Sequence, residues 1–579
     1  MNGQNVWVPG LWLMAASVAF GSPGRQPERN SGNPPMRKPV YLEVNLNNRT
    51  VRSRLCAVRN HSIIDVFAVI EQAGKDRRIQ GLLVNASDFT ADRAYMWELR
   101  TVLENFRQTG KKICFFISDA DLDLYCLASV ADKIVMDEQG ALQLFGYVWS
   151  RGFVKQTLDK FGVGVRELRY FEYKSAMESY TRDSMSDADR KQYGEYLDDI
   201  FGLTRDTIVK ARFQNTGEFD AILNMEYLFS ARSALERGLV DITGRKEAAA
   251  LAVKEMAGTE VKTWLRYGDA KTSLMTGKAP EYRLKRGGIF SGAVRIAIVY
   301  ASGRTDLERG MAARSLERTI CEIPEKKSVK AIVVRINSPG GSAEAADYVA
   351  EAIRSARKRI PVVVSMGPVA ASGGYWAAMY ADHITVSPYT LTGSIGVIGS
   401  WFFDRGLNEK IGLSVDVLKR GDHADLFSGF ILPRRDLDEA EAERFRVYIL
   451  DLYHDFVDKV AAGRKMDAAQ VEALARGRVY SGMGAVNAGL ADSIGGILDA
   501  VRIARSLAEI PAVKPVIFDE YPKPKFIDTI LLRFLTARGI PDSGVFPEAD
   551  ADALDVLEDL RYRISANGRA MPILPLYME

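Results

Sequence analysis

"KSVKAIVVRINSP", residues 327–339, decides the fold, because a version of it stands 250 positions upstream as "RRIQGLLVNASDF" (77–89). At the same spacing "LYCLASVADKIVM" (124–136) falls on "GYWAAMYADHITV" (374–386), and "FGVGVREL" (161–168) falls on "IGLSVDVL" (411–418). "YLFSARSALERGLVDITG" (227–244) then matches "RVYSGMGAVNAGLADSIG" (478–495) with a drift of one. Matches in one order at nearly constant spacing mark a tandem duplication.

Each copy alternates short β-branched runs with helical segments. In the second copy "RIAIVYA" (295–301), "AIVVRI" (331–336), "PVVVSM" (361–366) and "HITVSP" (383–388) read as strands. "SAEAADYVAEAIRSARK" (342–358) between two of them has helical periodicity. Apolar strands separated by helices predict βαβ units, with a parallel sheet buried on both faces. Long amphipathic helices are expected over 186–213 and 438–465. The chain therefore divides into a leader and linker (1–38), an N-terminal repeat (39–257), a connection (258–292), a C-terminal repeat (293–510) and a tail (511–579).

The bulk composition of the 579 residues, 47% hydrophobic and 26% charged with a net charge of +3, is that of a globular protein. It gives no electrostatic footprint for nucleic acid. The four cysteines, Cys56, Cys114, Cys126 and Cys321, show no metal-ligand spacing, and Cys114 and Cys126 lie in apolar runs that suit buried thiols. No metal or cofactor is implied. "LWLMAASVAF" (11–20) suits the core of an export or anchoring signal, with Ala19-Phe20-Gly21 as a small-residue cleavage site; a disordered leader is the alternative.

The polar motifs gather in the second copy. "INSPGG" (336–341) is a tight turn after a strand, and its backbone N–H groups can receive an oxyanion; a plain strand-to-helix turn is the other reading. Copy one has Asp88, Phe89, Thr90 and Ala91 there. Ser372, in "PVAASGGYWAA" (368–378), stands where a helix cap belongs, yet copy one does without a hydroxyl and has Leu122. As a nucleophile Ser372 would use the amides of Gly341 and Gly373 as an oxyanion hole and would need a base. Of the four histidines, His61, His383, His423 and His454, the candidate is His423, flanked by Asp422 and Asp425. The other candidate is Lys174 in "RYFEYKSAMESYTRD" (169–183), whose copy-two counterpart is Ala424. Copy one thus holds the lysine without the serine, and copy two the reverse. A lysine serves as base where burial keeps it neutral.

"INSPGGS", "MGPVAASGGYWAA", "TLTGSIGVIG" (390–399) and "EYKSAMESYTRDSMS" (172–186) resemble the long, duplicated form of the signal peptide peptidase A (protease IV) family, in the ClpP/crotonase superfamily. The resemblance spans about residues 40–510. It implies a tandem ClpP/crotonase-like α/β fold and a serine endopeptidase with Ser372 as nucleophile and Lys174 as general base. It also implies Gly341 and Gly373 as oxyanion donors and Ser394 as the residue that orients the lysine; Leu144 is its copy-one counterpart. Cleaved signal peptides and other extended hydrophobic peptides are the implied substrates, with no cofactor. A homotetramer on the extracytoplasmic, periplasmic face of a bacterial membrane, anchored near the N-terminus, is the implied setting. Two other classes fit a bowl of backbone donors: a crotonase-like acyl-CoA enzyme, and a non-catalytic scaffold for apolar peptides.

Overall fold

Two parallel sheets repeat one strand order. In copy one the order is Ile242–Thr243, Lys133–Met136, Lys112–Ile117, Ile79–Asn85, Val40–Asn45, Trp264–Arg266. In copy two it is Ser493–Ile494, His383–Val386, Val362–Ala371, Val329–Ser338, Val294–Ser302, Val516–Tyr521, with Tyr282–Arg283 added at the edge. The computed structural model of the chain describes residues 40–46, 49–51, 63–257, 264–266, 282–283, 294–512, 514–523 and 570–571. The leader, Cys56, His61 and most of the connection and tail lie outside the described residues.

These segments form parallel strands because their Val, Ile and Leu side chains are buried on both sheet faces: Ile296, Ile298, Ile332, Val333, Val334, Val363 and Val364 are all fully buried. Helices Arg93–Gln108 and Ala343–Ala356 take corresponding places between strands of the two copies. The long helices run over Asp187–Arg212 and Glu439–Arg464, each opened by a side chain that accepts a backbone N–H, Ser186 and Asp438. Cys114 and Cys126 are buried free thiols, and Cys321 is exposed.

Two boundaries differ from the sequence reading. Val516–Tyr521, assigned to the tail, is a full strand beside Val294–Ser302, and Trp264–Arg266, assigned to the connection, pairs with Val40–Asn45. Both segments follow irregular sequence, so their membership depends on a distant partner strand rather than on local pattern. The strand expected over 361–366 runs on to Ala371. It pairs with His383–Val386 through Met366, then changes partner to Leu391–Gly393 at Val369. The register slips beside Val329–Ser338 between Ile336 and Ser338, which accommodates Pro368, a residue with no N–H to give a ladder. That extension carries the backbone directly to Ser372.

The copies are joined rather than strung together. One apolar cluster takes Phe67, Leu99 and Leu103 from copy one and Ile296, Val333, Val363 and Val501 from copy two. Within that junction Arg335 reaches the buried Glu98 at 2.5 Å, and Ile497 N donates to the other Glu98 oxygen at 2.9 Å. Val163–Leu168 of copy one lies antiparallel on Ile398–Asp404 of copy two, from Leu168 opposite Gly399 to Val163 opposite Asp404. This pairing delivers the next segment, with Lys174, to copy two. The described residues from Val40 onward accordingly form one compact unit.

Candidate active site

Ser372 follows the last residue of the Val362–Ala371 strand and precedes helix Gly373–Ala378. Its backbone sits at φ 56°, ψ −116°, a conformation that costs a non-glycine residue roughly 1–3 kcal/mol and that surrounding contacts must hold. Ser372 N donates to Gly393 O at 2.8 Å, and Trp376 N donates to Ser372 O at 2.8 Å. The side chain makes no capping hydrogen bond although the residue occupies the N-cap position. Its Oγ meets Lys174 Nζ instead, at 2.6 Å.

Lys174 is buried, and Nζ has two further partners, Ser394 O at 2.8 Å and Ser394 Oγ at 2.9 Å. Among the described residues no carboxylate pairs with this amine. Burial therefore acts unopposed and pushes its pKa well below the ordinary lysine value. A neutral amine has two N–H donors and one lone pair. Donating both to Ser394 leaves the lone pair facing the Ser372 hydroxyl. Ser394 itself is held at φ 51° by its N–H bond to Arg478 O at 2.7 Å.

The lysine stem lies against glycine backbone. A Cβ on Gly477, at φ 83°, would stand 2.6 Å from both the Cβ and N of Lys174, so this approach requires glycine. Phe171 packs on Tyr453 of the long copy-two helix, and Met177 and Tyr180 pack with Ile398 and Phe402. Gly341 and Gly373 present their amides from the INSPGG turn and from the residue after Ser372. Neither amide donates to another group of the described chain. The copy-one counterparts of Ser372 and Ser394, Leu122 and Leu144, are buried core residues, and Phe89–Ala91 forms a short strand with Arg49–Val51 where copy two has its turn.

The structure does not bring His423 to Ser372. Its Nδ1 lies 2.8 Å from Glu441, while the flanking Asp425 pairs with Arg435 at 3.0 Å and Lys419 at 3.3 Å and so serves the loop's own ion pairs. His383 bonds Ser493 Oγ at 2.8 Å through Nε2. Among the described residues no group of three or more His, Cys, Asp or Glu side chains is placed to hold a metal ion.

A buried network behind Lys174 was not legible in the sequence. Arg151 pairs with Asp189, and the same guanidinium donates to Ser175 O at 2.6 Å and Ser179 Oγ at 3.0 Å. The Ser175 hydroxyl donates to Asp189, and Gln192 Nε2 donates to Tyr173 O at 3.1 Å. Gln192 Oε1 accepts from Val479 N at 3.2 Å, linking the segment to the strand after Gly477. The carbonyls on both sides of Lys174 are thus fixed. Asp189 stands in the first turn of a helix behind a capping serine, where an acid is ordinary, so its sequence context carries no signal of this role.

The chain has a buried serine at a strand-to-helix elbow of a duplicated parallel α/β fold, with an amine against its hydroxyl, an arrangement that suits a serine peptidase. It belongs to peptidase family S49, whose model matches residues 105–260 and 354–511, once in each copy. It is similar to the chloroplastic serine protease SPPA of Arabidopsis thaliana, 30% identical over 78% of this chain and 67% of that one. It is also similar to Protease 4 of Salmonella typhi, 31% identical over 78% of this chain and 73% of that one. A solved structure of ClpP1 from Listeria monocytogenes matches 35% of this chain and 94% of its own, at 15% identity and a TM-score of 0.23.

Proposed function

We propose that this chain is a serine endopeptidase with a Ser–Lys dyad divided between its two copies, acting on cleaved signal peptides and other extended hydrophobic peptides. The observation that carries the reading is the 2.6 Å contact between Lys174 Nζ and Ser372 Oγ, made by a lysine whose pKa burial pushes well below the ordinary value. Ser372 Oγ attacks the scissile carbonyl as its proton passes to Lys174. The Gly341 and Gly373 amides receive the negative oxygen of the tetrahedral intermediate. The Lys174 ammonium then protonates the leaving amine, and the C–N bond breaks to leave an acyl-enzyme. Water adds to the ester as Lys174 takes its proton, and the peptide acid departs with Ser372 Oγ reprotonated. Ser394, with its carbonyl and hydroxyl both on Nζ, orients the amine. The substrate class rests on the family resemblance.

The proposed assembly is a head-to-tail homotetramer at the extracytoplasmic face of a bacterial membrane. The membrane setting rests on the resemblance; among the described residues no helix is long and apolar enough to cross a membrane. The oligomer has support in the comparison of the two copies. Within the chain Leu168, Met177 and Tyr180 are 3%, 0% and 5% exposed, covered by copy two. Their counterparts Leu418, Phe427 and Phe430 are 95%, 65% and 75% exposed. On the receiving side Ile395 and Ile398 are fully buried, while their counterparts Phe145 and Val148 are 63% and 80% exposed. One chain's 418–430 arm therefore matches the Phe145 and Val148 face of the next, a heterologous contact that gives a ring where its rotation closes.

The test is hydrolysis of a quenched hydrophobic signal-peptide sequence by wild type, Ser372→Ala and Lys174→Ala. Both variants are expected to lose turnover while remaining folded. Full activity in either would overturn the dyad.

A further inference from the structure

Thr305 lies in the loop between the Val294–Ser302 strand and helix Ala313–Glu322, and it is fully buried. "SGRTDL" (302–307) reads as an ordinary polar loop. In the fold its backbone pairs with the INSPGG turn: Thr305 N donates to Gly340 O at 2.8 Å, and Ser342 N donates to Thr305 O at 2.7 Å. Its hydroxyl donates to Ser342 O at 3.1 Å. Three hydrogen bonds thus fix the turn on either side of Gly341.

The same side chain also abuts the other loop. A Cβ on Gly373 would stand 2.7 Å from Thr305 Oγ1 and 3.2 Å from Thr305 Cγ2. A Cβ on Gly341, at φ 149°, would stand 2.9 Å from the same Oγ1. One hydroxyl is therefore wedged between the two glycines whose amides lack protein acceptors. No other described side chain stands as close to both Cβ positions among their nearest neighbours.

We infer that Thr305 is a positioning residue that sets the separation and aim of the Gly341 and Gly373 amides. The inference rests on the proposed peptidase reading. Oxyanion donors act when both lie about 2.7–3.1 Å from the developing charge. A displacement of about 1 Å in such a geometry costs roughly 100-fold in rate. The hydroxyl anchors the turn to Ser342 O, and the methyl group fills the side toward Gly373. Valine in this place would set a larger methyl where Oγ1 now touches both loops and would remove the bond to Ser342. Serine would keep that bond and the short contact.

The experiment compares wild type, Thr305→Ser and Thr305→Val on an apolar peptide ester and the matching thionoester, with Ser372→Ala as the blank. Thr305→Ser is expected within about threefold of wild type. Thr305→Val is expected to lower kcat roughly 10–100-fold with KM within about twofold, and to narrow the preference for oxygen over sulfur at the reacting carbonyl. Unchanged kcat in Thr305→Val, a loss carried by KM, or an unchanged oxygen-to-sulfur ratio would each overturn the inference. Thermal melting establishes that the variants are folded, and Thr305→Ala, which removes the wedge without adding bulk, replaces Thr305→Val if the latter is not. Full activity of Ser372→Ala would instead defeat the peptidase reading itself.

Discussion

Lys174 and Ser372 stand 198 positions apart in the chain and 2.6 Å apart in the fold. Each comes from a copy that lacks the other. The antiparallel pairing of Val163–Leu168 with Ile398–Asp404 brings them together, so the contact belongs to neither copy alone.

Replacing either partner tests the dyad directly. Ser372→Ala and Lys174→Ala are each expected to lower kcat/KM by about 10³-fold or more, as in other nucleophile–base pairs. Lys174→Arg is expected to be equally inactive, because a guanidinium stays protonated. Steady-state hydrolysis checks the rates, and mass-detected labelling of Ser372 by a peptidyl phosphonate checks the nucleophile.

The pH dependence follows from the depressed Lys174 pKa. Activity should rise with pH as the amine loses its proton, with a midpoint below the usual lysine value of about 10.4. Stability has a related dependence. Between the native and unfolded pKa values the unfolded chain binds a proton that the native chain does not, so this group makes stability rise with pH across that window. Below the native value its destabilising effect is at its full extent. Lys174→Met should therefore stabilise the protein at pH 7 more than at pH values above the unfolded pKa. Urea melts across pH measure this, and parallel curves for the two proteins would refute it.

Ser394→Ala removes one of the three partners of Nζ and leaves the Ser394 carbonyl in place. One such bond contributes about 1 kcal/mol, so kcat should fall about fivefold to tenfold with KM little changed. A matched kinetic series with wild type decides it.

The Arg151–Asp189 pair has side chains only 1% and 0% exposed. Asp189→Ala strands a buried guanidinium and is expected to cost about 3–5 kcal/mol in urea unfolding. A loss below about 1 kcal/mol would show that the network does not anchor the Lys174 segment.

Leu418→Asp combined with Phe430→Asp places two carboxylates on the exposed arm. Sedimentation should register a fall from oligomer to single chain, while the melting of the single chain changes little because both side chains are largely exposed within it. Persistence of the oligomer would rule out this arm as the contact.

The repeat spacing made the fold class readable, because buried parallel strands need apolar β-branched runs and a duplication writes them twice. The same spacing exposed the crossed loss of Ser372 and Lys174 between copies. The ends of the sheets were not readable: Val516–Tyr521 and Trp264–Arg266 join them through hydrogen bonds to strands over 200 residues away. The strand expected over 361–366 reaches Ala371 because a change of partner strand carries the backbone past Gly367-Pro368, which local pattern does not show.

Ser372 shows the division most clearly. Its residue type and its place after a strand and before paired glycines suit a helix cap as well as a nucleophile, and local pattern contains nothing to separate them. The observations that favour the proposed nucleophile are a backbone turned to φ 56° and an amine that reaches the hydroxyl out of the other copy. The residue types and their order were encoded locally, through strand and helix periodicity. The lowered pKa of Lys174, the pairing of Arg151 with Asp189 and the wedge at Thr305 depend on burial and angstrom-scale distances, which arise only when remote segments pack.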